Sequence, residues 1–144
     1  MKVLVQRVLS ASVAVDSKIV GSIQKGALLF VGFTITDTRK DLEWFSNKVI
    51  GLRIFEDQDG KMNISIKDAK AELLVVPQFT LYGNCKRGFR PDFTDALEPN
   101  KAKILFDEFY GLLKASGLKI EAGIFQADMK VALVNDGPVT LIIE

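Results

Sequence analysis

The sequence contains no histidine. Histidine is the usual general base for a serine, threonine or cysteine nucleophile, and it is a frequent zinc ligand. Its absence excludes a Ser-His-Asp triad and a histidine-based zinc site. Any catalysis must therefore use carboxylates, lysines, backbone N–H groups or groups that the substrate supplies.

Cysteine and long apolar runs are also scarce. Cys85 is the one cysteine, which excludes an internal disulfide and a multi-cysteine metal site. Lys86 is the only adjacent residue that could activate its thiol, so we interpret the cysteine as incidental to function. The longest apolar stretch, from Ala27 to Phe33, is far shorter than the ~20 residues of a membrane-spanning helix. Arg7 stands where a signal peptide would need apolar residues, so the composition predicts a cytoplasmic protein.

What is present suits one globular domain over residues 1–144. The chain is 48% hydrophobic and 26% charged, which is enough to bury one core. The net charge of +1 argues against a globally basic nucleic-acid-binding protein. One local basic cluster comprises Lys86, Arg87 and Arg90 with Phe89 between them. Such a cluster is either a solvated loop or a contact for RNA.

The first third of the chain alternates apolar and polar residues with the period of two that is typical of strands. Turn signals at Asp16-Ser17 and at Gly26 separate these segments, so we expect antiparallel strands joined by short turns. Strand character recurs near Ile120. Further strands are predicted at residues 27–33, 52–55, 61–64, 73–76, 130–134 and 139–143.

Two segments have helical periodicity. The first begins after a capping pair, Thr38 with Asp41, and ends at Gly51. The second has Pro99 in its first turn and apolar residues at helical spacing until Gly117. Together with the strands, these helices predict an α+β fold in which mostly antiparallel strands curl into a barrel-like sheet with two main helices.

The segment PQFTL (residues 77–81) follows a predicted buried strand, and ligand sites are often built where strands end. In one interpretation, Pro77 ends the strand and the side chains of Gln78 and Thr80 cap loose backbone groups. In the other, an irregular turn directs the N–H groups of Phe79 and Thr80 to one point and forms an oxyanion site. Backbone donors of this kind need no histidine.

The segment NDGPVT (residues 135–140) also follows an apolar run. Its simplest interpretation is a hairpin turn between two strands. Alternatively, Gly137 and Pro138 form a rigid backbone wall, because glycine permits close approach and proline fixes φ at about −65°. Their peptide bond is then a candidate for the cis isomer.

Several segments together resemble the D-aminoacyl-tRNA deacylase family, which includes the D-tyrosyl-tRNA deacylases. They are MKVLVQRVLSASVAV at the N-terminus, GKMNIS, LLVVPQFTLYG, RGFRPDF, FQADM and VALVNDGPVT. The resemblance covers essentially the whole chain in order and spacing. It implies a homodimer that hydrolyses the ester between a D-amino acid and the terminal ribose of tRNA, without a metal or an organic cofactor.

The resemblance also implies roles for particular residues. The family's Ser-Gln-x-Thr motif falls on residues 77–80, so Gln78, Phe79 and Thr80 would be catalytic. Proline replaces the motif serine at position 77, which puts the strictness of chiral selection in doubt, because a related group of tRNA deacylases with looser selectivity also has Pro-Gln there. The residues implied to bind the substrate are Gly137 and Pro138 of the Gly-cisPro motif, Arg7, which would help fix their loop, and Met129.

A mechanism follows from what the sequence lacks. The hydroxyl of Thr80 is too weakly acidic to act as a nucleophile without a base, so we favour a positioning role for it. We hypothesise that water attacks the ester carbonyl while the N–H groups of Phe79 and Thr80 stabilise the oxyanion. Gln78 would shape the site, and the 2′-hydroxyl of the substrate would assist proton movement.

Two other classes of function remain open. In a non-catalytic RNA-binding module, the basic loop from Lys86 to Arg90 would be the whole function. In an assembly protein, the two motif segments would be interface turns only. For the deacylase, we expect a homodimer in which the Gly137-Pro138 loop of one subunit reaches toward the PQFTL segment of the other. The expected partners are aminoacylated tRNA and a second copy of the chain, without DNA.

Overall fold

A computed structural model describes all 144 residues. It contains two α-helices, α1 (Arg39–Gly51) and α2 (Pro99–Lys114), and a short 3-10 turn over Phe79–Tyr82. Neither helix is long and apolar enough to cross a membrane. The eight strands are β1 (Lys2–Val15), β2 (Lys18–Ile23), β3 (Gly26–Gly32), β4 (Arg53–Glu56), β5 (Met62–Ser65), β6 (Glu72–Pro77), β7 (Ile120–Ala122) and β8 (Lys130–Ile143).

Strand β1 organises the main sheet. It pairs antiparallel with β8 along one edge, and along the other edge with β3 in its first half and β2 in its second. β6 then pairs parallel with β3, and β7 pairs parallel with β6. Because β2 also lies close to β6 and β7, the sheet is nearly closed into a barrel. The α+β fold is confirmed, although the sheet is mixed through these two parallel pairs.

The core has two parts, one on each face of the sheet. Val3 and Val5 of β1 face the helices, where they pack with residues of α1 and α2 such as Leu42 and Phe109. Further along β1, Val8 and other apolar residues line the interior of the curled sheet. Each buried side chain of this size stabilises the fold by about 1.5–3 kcal/mol relative to an exposed one.

The ends of the helices follow the local sequence. The Asp41 carboxylate accepts hydrogen bonds from the N–H and the hydroxyl of Thr38 at 2.8 and 2.7 Å, which begins α1 as predicted. The helix ends at Gly51. The Glu98 carboxylate caps α2, whose first residue is Pro99. Local contacts therefore define where both helices begin.

The predicted pair of strands at residues 130–134 and 139–143 is wrong in one respect, because both segments belong to one strand, β8. Both halves pair with β1, where Val8 lies opposite Asn135 and Gln6 lies opposite Thr140. Residues 136–139 therefore bulge from a continuous strand opposite Arg7. A hairpin turn at this point is excluded, because the chain does not reverse.

Candidate functional site

A cavity of about 660 Å³ opens at the carboxyl ends of β3 and β6. Twelve of its 19 lining residues are hydrophobic, so it suits an apolar group with a few polar contacts. Its walls come from three parts of the chain: the strand ends with Gln78 and Phe79, the start of α2 with the residues before it, and the segment from Phe125 to Met129 with Val131.

The PQFTL segment forms the rim of this cavity. The N–H of Gln78 donates to the carbonyl oxygen of Val31 at 2.7 Å, and the chain then leaves the sheet as the 3-10 turn. The first N–H groups of a helical turn have no partner within it. None of the hydrogen bonds in loops and turns is donated by the backbone N–H of Phe79 or Thr80. Both donors are therefore available for an oxygen atom of a ligand.

The side chain of Thr80 is held by its neighbour. The Gln78 amide donates a hydrogen bond to the Thr80 hydroxyl oxygen. No carboxylate or lysine bonds to that hydroxyl, and Thr80 does not line the cavity. This hydrogen bond restrains the side chains of Gln78 and Thr80. It does not provide a general base for the Thr80 hydroxyl.

An aromatic pair covers one side of the rim. The rings of Phe79 and Phe93 pack edge to face with centroids 5.1 Å apart. A side-chain carbon at Gly83 would lie 3.0 Å from the Phe93 ring, so glycine permits this close approach. Phe93 was not predicted as a site residue, although it lies in the RGFRPDF segment that carries the resemblance.

Met129 lines the same cavity on the side of Pro77. A Cβ atom at Gly123 would lie 2.6 Å from the sulfur of Met129 and 3.7 Å from Cδ of Pro77. Glycine at position 123 therefore gives the methionine side chain its space. The structure brings Met129, Gln78 and Phe79 together at one cavity.

The Gly137-Pro138 peptide bond is cis and lies in the bulge of β8. Arg7, which is 5% exposed, anchors this bulge from β1. Its Nε donates to the carbonyl oxygen of Asp136 at 3.0 Å, and its Nη1 donates to that of Ile54 at 2.6 Å. The Asp136 carboxylate lies 3.5 Å from Nε and balances the guanidinium charge.

Asn135 is a second anchor, and the sequence did not identify it. Its Oδ1 accepts a hydrogen bond from the N–H of Val139 at 2.8 Å, and its Nδ2 donates to the Thr140 hydroxyl at 3.1 Å. These contacts join the two ends of the bulge. The residue type could have indicated this role, because asparagine side chains often form hydrogen bonds with the backbone of a nearby turn.

The two motif segments do not meet within one chain. Arg7 pairs with Ala27 near the start of β3, whereas Pro77 pairs with Val31 near its end. Four residues of a strand span about 13 Å. No residue of the 135–140 segment lines the cavity.

The basic cluster lies on a closed loop beside the 3-10 turn. Asn84 and Asp92 pair through two backbone hydrogen bonds of 2.7 and 3.0 Å and form the base of this loop. Cys85 and the four residues of the cluster are exposed, and the thiol is free. No group of three or more histidine, cysteine, aspartate or glutamate side chains is placed to hold a metal ion. The cluster therefore presents three exposed cations on a loop that follows the 3-10 turn.

Comparison with known proteins assigns the family. Residues 4–144 match the family model described as D-Tyr-tRNA(Tyr) deacylase. The chain belongs to this family. The D-aminoacyl-tRNA deacylase of Thermotoga petrophila is 56% identical over 144 residues, covering all of this chain and 97% of the relative. That of Clostridium botulinum is 54% identical with the same coverage.

Solved structures show the same fold as this deacylase-family chain. One, described as c-Myc DNA Unwinding Element Binding Protein, has a TM-score of 0.94 at 38% identity and covers 100% of this chain and 98% of its own. Another, described as a probable eukaryotic D-amino acid tRNA deacylase, has a TM-score of 0.88. At 16% identity, over 99% of this chain and 97% of that one, the second likeness concerns the fold alone.

Proposed function

We propose that this protein hydrolyses the ester bond of D-aminoacyl-tRNA and releases the free D-amino acid and tRNA. The observation that carries the proposal is a pair of adjacent free N–H groups, one on Phe79, which lines the apolar cavity, and one on the next residue, Thr80. The full-length relatives are D-aminoacyl-tRNA deacylases, and their reaction fits this geometry. An ester hydrolysis needs donors for a developing oxyanion, and each such donor is worth about 2.7–4 kcal/mol.

In the mechanism, the oxygen of a water molecule attacks the ester carbonyl carbon. The N–H groups of Phe79 and Thr80 bind the oxyanion of the tetrahedral intermediate, which collapses and expels the ribose 3′-oxygen. The 2′-hydroxyl of the substrate assists the transfer of a proton to that leaving oxygen, because the protein has no histidine to do so. Gln78 holds the Thr80 side chain and shapes the rim.

A second copy of the chain completes the site. The two motif segments are separated within one subunit, and β8 pairs only with β1, so its outer edge is unpaired over 14 residues. Such an exposed edge is normally covered. Val134, Leu141 and Ile142 of this strand are 52%, 41% and 64% exposed, which leaves apolar surface for a partner subunit. In the homodimer, the Gly137-Pro138 loop of one subunit reaches the PQFTL rim of the other.

This loop is the chiral filter. An L substrate and a D substrate differ in the side of the α-carbon that carries the side chain, so one rigid obstacle separates them. Arg7 and Asn135 hold the loop rigid through the contacts described above. Rejection by clash does not depend on the accepted side chain, so the enzyme accepts many D-amino acids, and achiral glycine also enters.

Proline at position 77 provides an alternative, in which the enzyme hydrolyses D-aminoacyl-tRNA but rejects L-aminoacyl-tRNA less strictly. It removes the hydroxyl and the N–H that the motif serine would contribute, and it leaves the N–H groups of Phe79 and Thr80 in place. The reaction is then retained while chirality is less strictly enforced. A Pro77→Ser variant with a higher ratio of D to L turnover supports this alternative, and an unchanged ratio contradicts it.

The remaining parts of the proposal concern partners and location. Lys86, Arg87 and Arg90 contact the phosphates of the tRNA near its 3′ end. No cofactor is required, since the reaction needs only water and backbone donors. The protein acts in the cytoplasm, where aminoacyl-tRNA is present, and DNA is not a substrate.

One assay tests this function. The purified protein is incubated with D-tyrosyl-tRNA and with L-tyrosyl-tRNA, and loss of the ester is measured over time. We expect rapid hydrolysis of the D substrate and slow hydrolysis of the L substrate. Binding of tRNA without hydrolysis would instead support a non-catalytic RNA-binding module, and a dimer indifferent to tRNA would support an assembly protein.

A further inference from the structure

The ring of Phe89 has no partner in the folded chain. Its relative exposure is 108%, whereas the next most exposed large hydrophobic side chain, Ile35, is at 74%. Exposing a whole aromatic ring to water is unfavourable. The packing of the fold does not use the ring, so both of its faces are available to a molecule outside the chain.

The loop around Phe89 has a defined shape. The paired backbones of Asn84 and Asp92 close its base. Gly88 adopts a φ of +63°, a conformation that glycine accepts without strain, and the chain turns there directly before Phe89. The ring is therefore presented on a closed loop.

The charges around the ring indicate an anionic partner. Lys86, Arg87 and Arg90 are exposed, and none of them takes part in an ion pair. A second copy of this chain has a net charge of +1 and therefore brings no overall excess of negative charge to neutralise three cations. A nucleic acid backbone would do so, and an aromatic ring among cations is typical of surfaces that bind single strands.

The loop is also close to the proposed reaction centre. Phe93 packs against Phe79 at the rim of the cavity. Four residues separate Phe89 from Phe93, so their Cα atoms are at most about 14 Å apart. Stacked bases follow one another at about 3.4 Å, so the ring lies within reach of the nucleotides that precede the reacting one.

We propose that Phe89 stacks on an unpaired base next to the terminal nucleotide of the tRNA, while Lys86, Arg87 and Arg90 hold the adjoining phosphates. This inference rests on the proposed deacylase function and adds a positioning residue to it. Stacking accepts any base, because every base has a π-face. The loop therefore selects a single-stranded 3′ end rather than a particular sequence, and it directs the ester toward the rim of the cavity.

The test compares two substrates and three variants. The substrates are D-tyrosyl-tRNA and D-tyrosyl-adenosine, which lacks the preceding nucleotides. The variants are Phe89→Ala, Phe89→Leu, which keeps an apolar side chain, and Phe89→Tyr, which keeps the ring. We expect Ala and Leu to raise KM for the tRNA substrate by about 5-fold to 150-fold, the loss that follows removal of one stacked base, with kcat little changed. Tyr should retain the parent KM, and KM for the adenosine substrate should be unaffected by all three.

Other outcomes overturn the inference. An unchanged KM for tRNA in the Ala variant shows that the ring makes no contact with it, and Leu matching the parent shows that stacking is not involved. An equal loss on both substrates places the effect in the cavity. A change of oligomeric state in sedimentation assigns the ring to an interface between subunits.

A binding measurement separates this inference from the proposed function. Phe89→Trp is made in a Trp44→Phe background, so that the introduced indole is the one tryptophan in the chain. We expect uncharged single-stranded RNA to quench its fluorescence and a blunt RNA duplex to leave it unchanged. Absence of quenching contradicts the stacking role even if the parent is an active deacylase. Quenching in a protein that hydrolyses neither substrate supports the stacking role and contradicts the proposed function.

Discussion

At the scale of residues, the two motif segments rely on different kinds of support. Arg7 is a buried charge that is balanced by Asp136 and bonded to two carbonyl oxygens, so it holds a particular backbone shape. The PQFTL turn instead depends on donors that the turn leaves free at Phe79 and Thr80. The first arrangement suits a rigid obstacle, and the second suits an oxyanion site.

The role of Thr80 is open to a direct test. In Thr80→Ala, the hydroxyl that accepts the Gln78 hydrogen bond is lost, but the backbone N–H remains. Because one hydrogen bond is worth about 1 kcal/mol, we expect kcat/KM for D-tyrosyl-tRNA to fall only about 5-fold. If the variant is folded, as judged by its circular dichroism spectrum, but has lost all turnover, the Thr80 hydroxyl acts as the nucleophile.

The proposed chiral filter is tested at Gly137 and Pro138. A Cβ atom at residue 137 would lie 2.8 Å from Cγ2 of Val139 and 3.1 Å from Nη2 of Arg7, and the φ of +131° is rare for other residues. Gly137→Ala should therefore displace the loop, and Pro138→Ala should loosen it. We expect both variants to hydrolyse L-tyrosyl-tRNA faster relative to the D substrate than the parent does. Two folded variants with the selectivity of the parent would place the filter elsewhere.

At the scale of elements, two glycines with opposite surroundings test helix α2 and strand β3. Gly111 is exposed within α2, and an added Cβ there meets nothing within 4 Å. Gly111→Ala should stabilise the protein by about 0.5–1 kcal/mol, because alanine loses less entropy in a helix. The melting temperature should rise by about 1–4 °C, measured by calorimetry.

Gly26 provides the matched control. A Cβ atom at this position would lie 1.8 Å from the carbonyl oxygen of Glu72, on the strand that pairs with β3. Gly26→Ala should lower the melting temperature sharply, since β3 and β6 would have to separate. A stable Gly26→Ala variant would contradict the parallel pairing of the two strands at this point.

At the scale of the whole molecule, the proposed site depends on assembly into a dimer. The Gly137-Pro138 loop and the cavity lie about 13 Å apart along β3 within one chain, by the rise per residue of a strand. We expect a homodimer in sedimentation velocity at micromolar concentration. Leu141→Lys should weaken the dimer and deacylation together, because it charges the outer surface of β8, whereas Ile35→Lys, at a position that is more exposed but lies outside that strand, should alter neither. A monomer with full activity would contradict the shared site.

The dependence of stability on pH is also a property of the whole chain. Without histidine, no side chain with an ordinary pKa titrates between pH 5 and 8, so we expect a constant melting temperature from pH 6 to 7. Hydrogen bonds hold the pKa values of four carboxyl groups below their ordinary values of 3.8 for aspartate and 4.5 for glutamate. These groups are Asp41, Asp57, Glu72 and Asp92.

The sign follows from proton binding. Because these pKa values are lower in the folded state, the unfolded chain binds more protons as the pH falls, so stability that is present above pH 4.5 is lost below it. At Glu72, the main cause is the hydrogen bond from the N–H of Gln24 at 2.8 Å, followed by Lys119. Glu72→Gln should therefore show a smaller loss of melting temperature between pH 5 and pH 3 than the parent. If the variant and the parent lose the same melting temperature, Glu72 does not contribute to the loss of stability in acid.

The sequence by itself determined the elements and the candidate residues of this protein. Periodicity and turn chemistry act over a few residues, so they were sufficient to predict β1 to β3, both helices and the capping pair of α1. The Glu98 cap of α2 was not predicted. Only the tertiary structure decided which segments pair. Residues 130–143 became one strand because both halves find the same partner in β1, and Arg7 and Asn135 became anchors because that pairing leaves the bulge beside them. The separation of the two motifs likewise depends on the register of β3 with β1 and β6, which pairs residues distant in the chain and has no local signal.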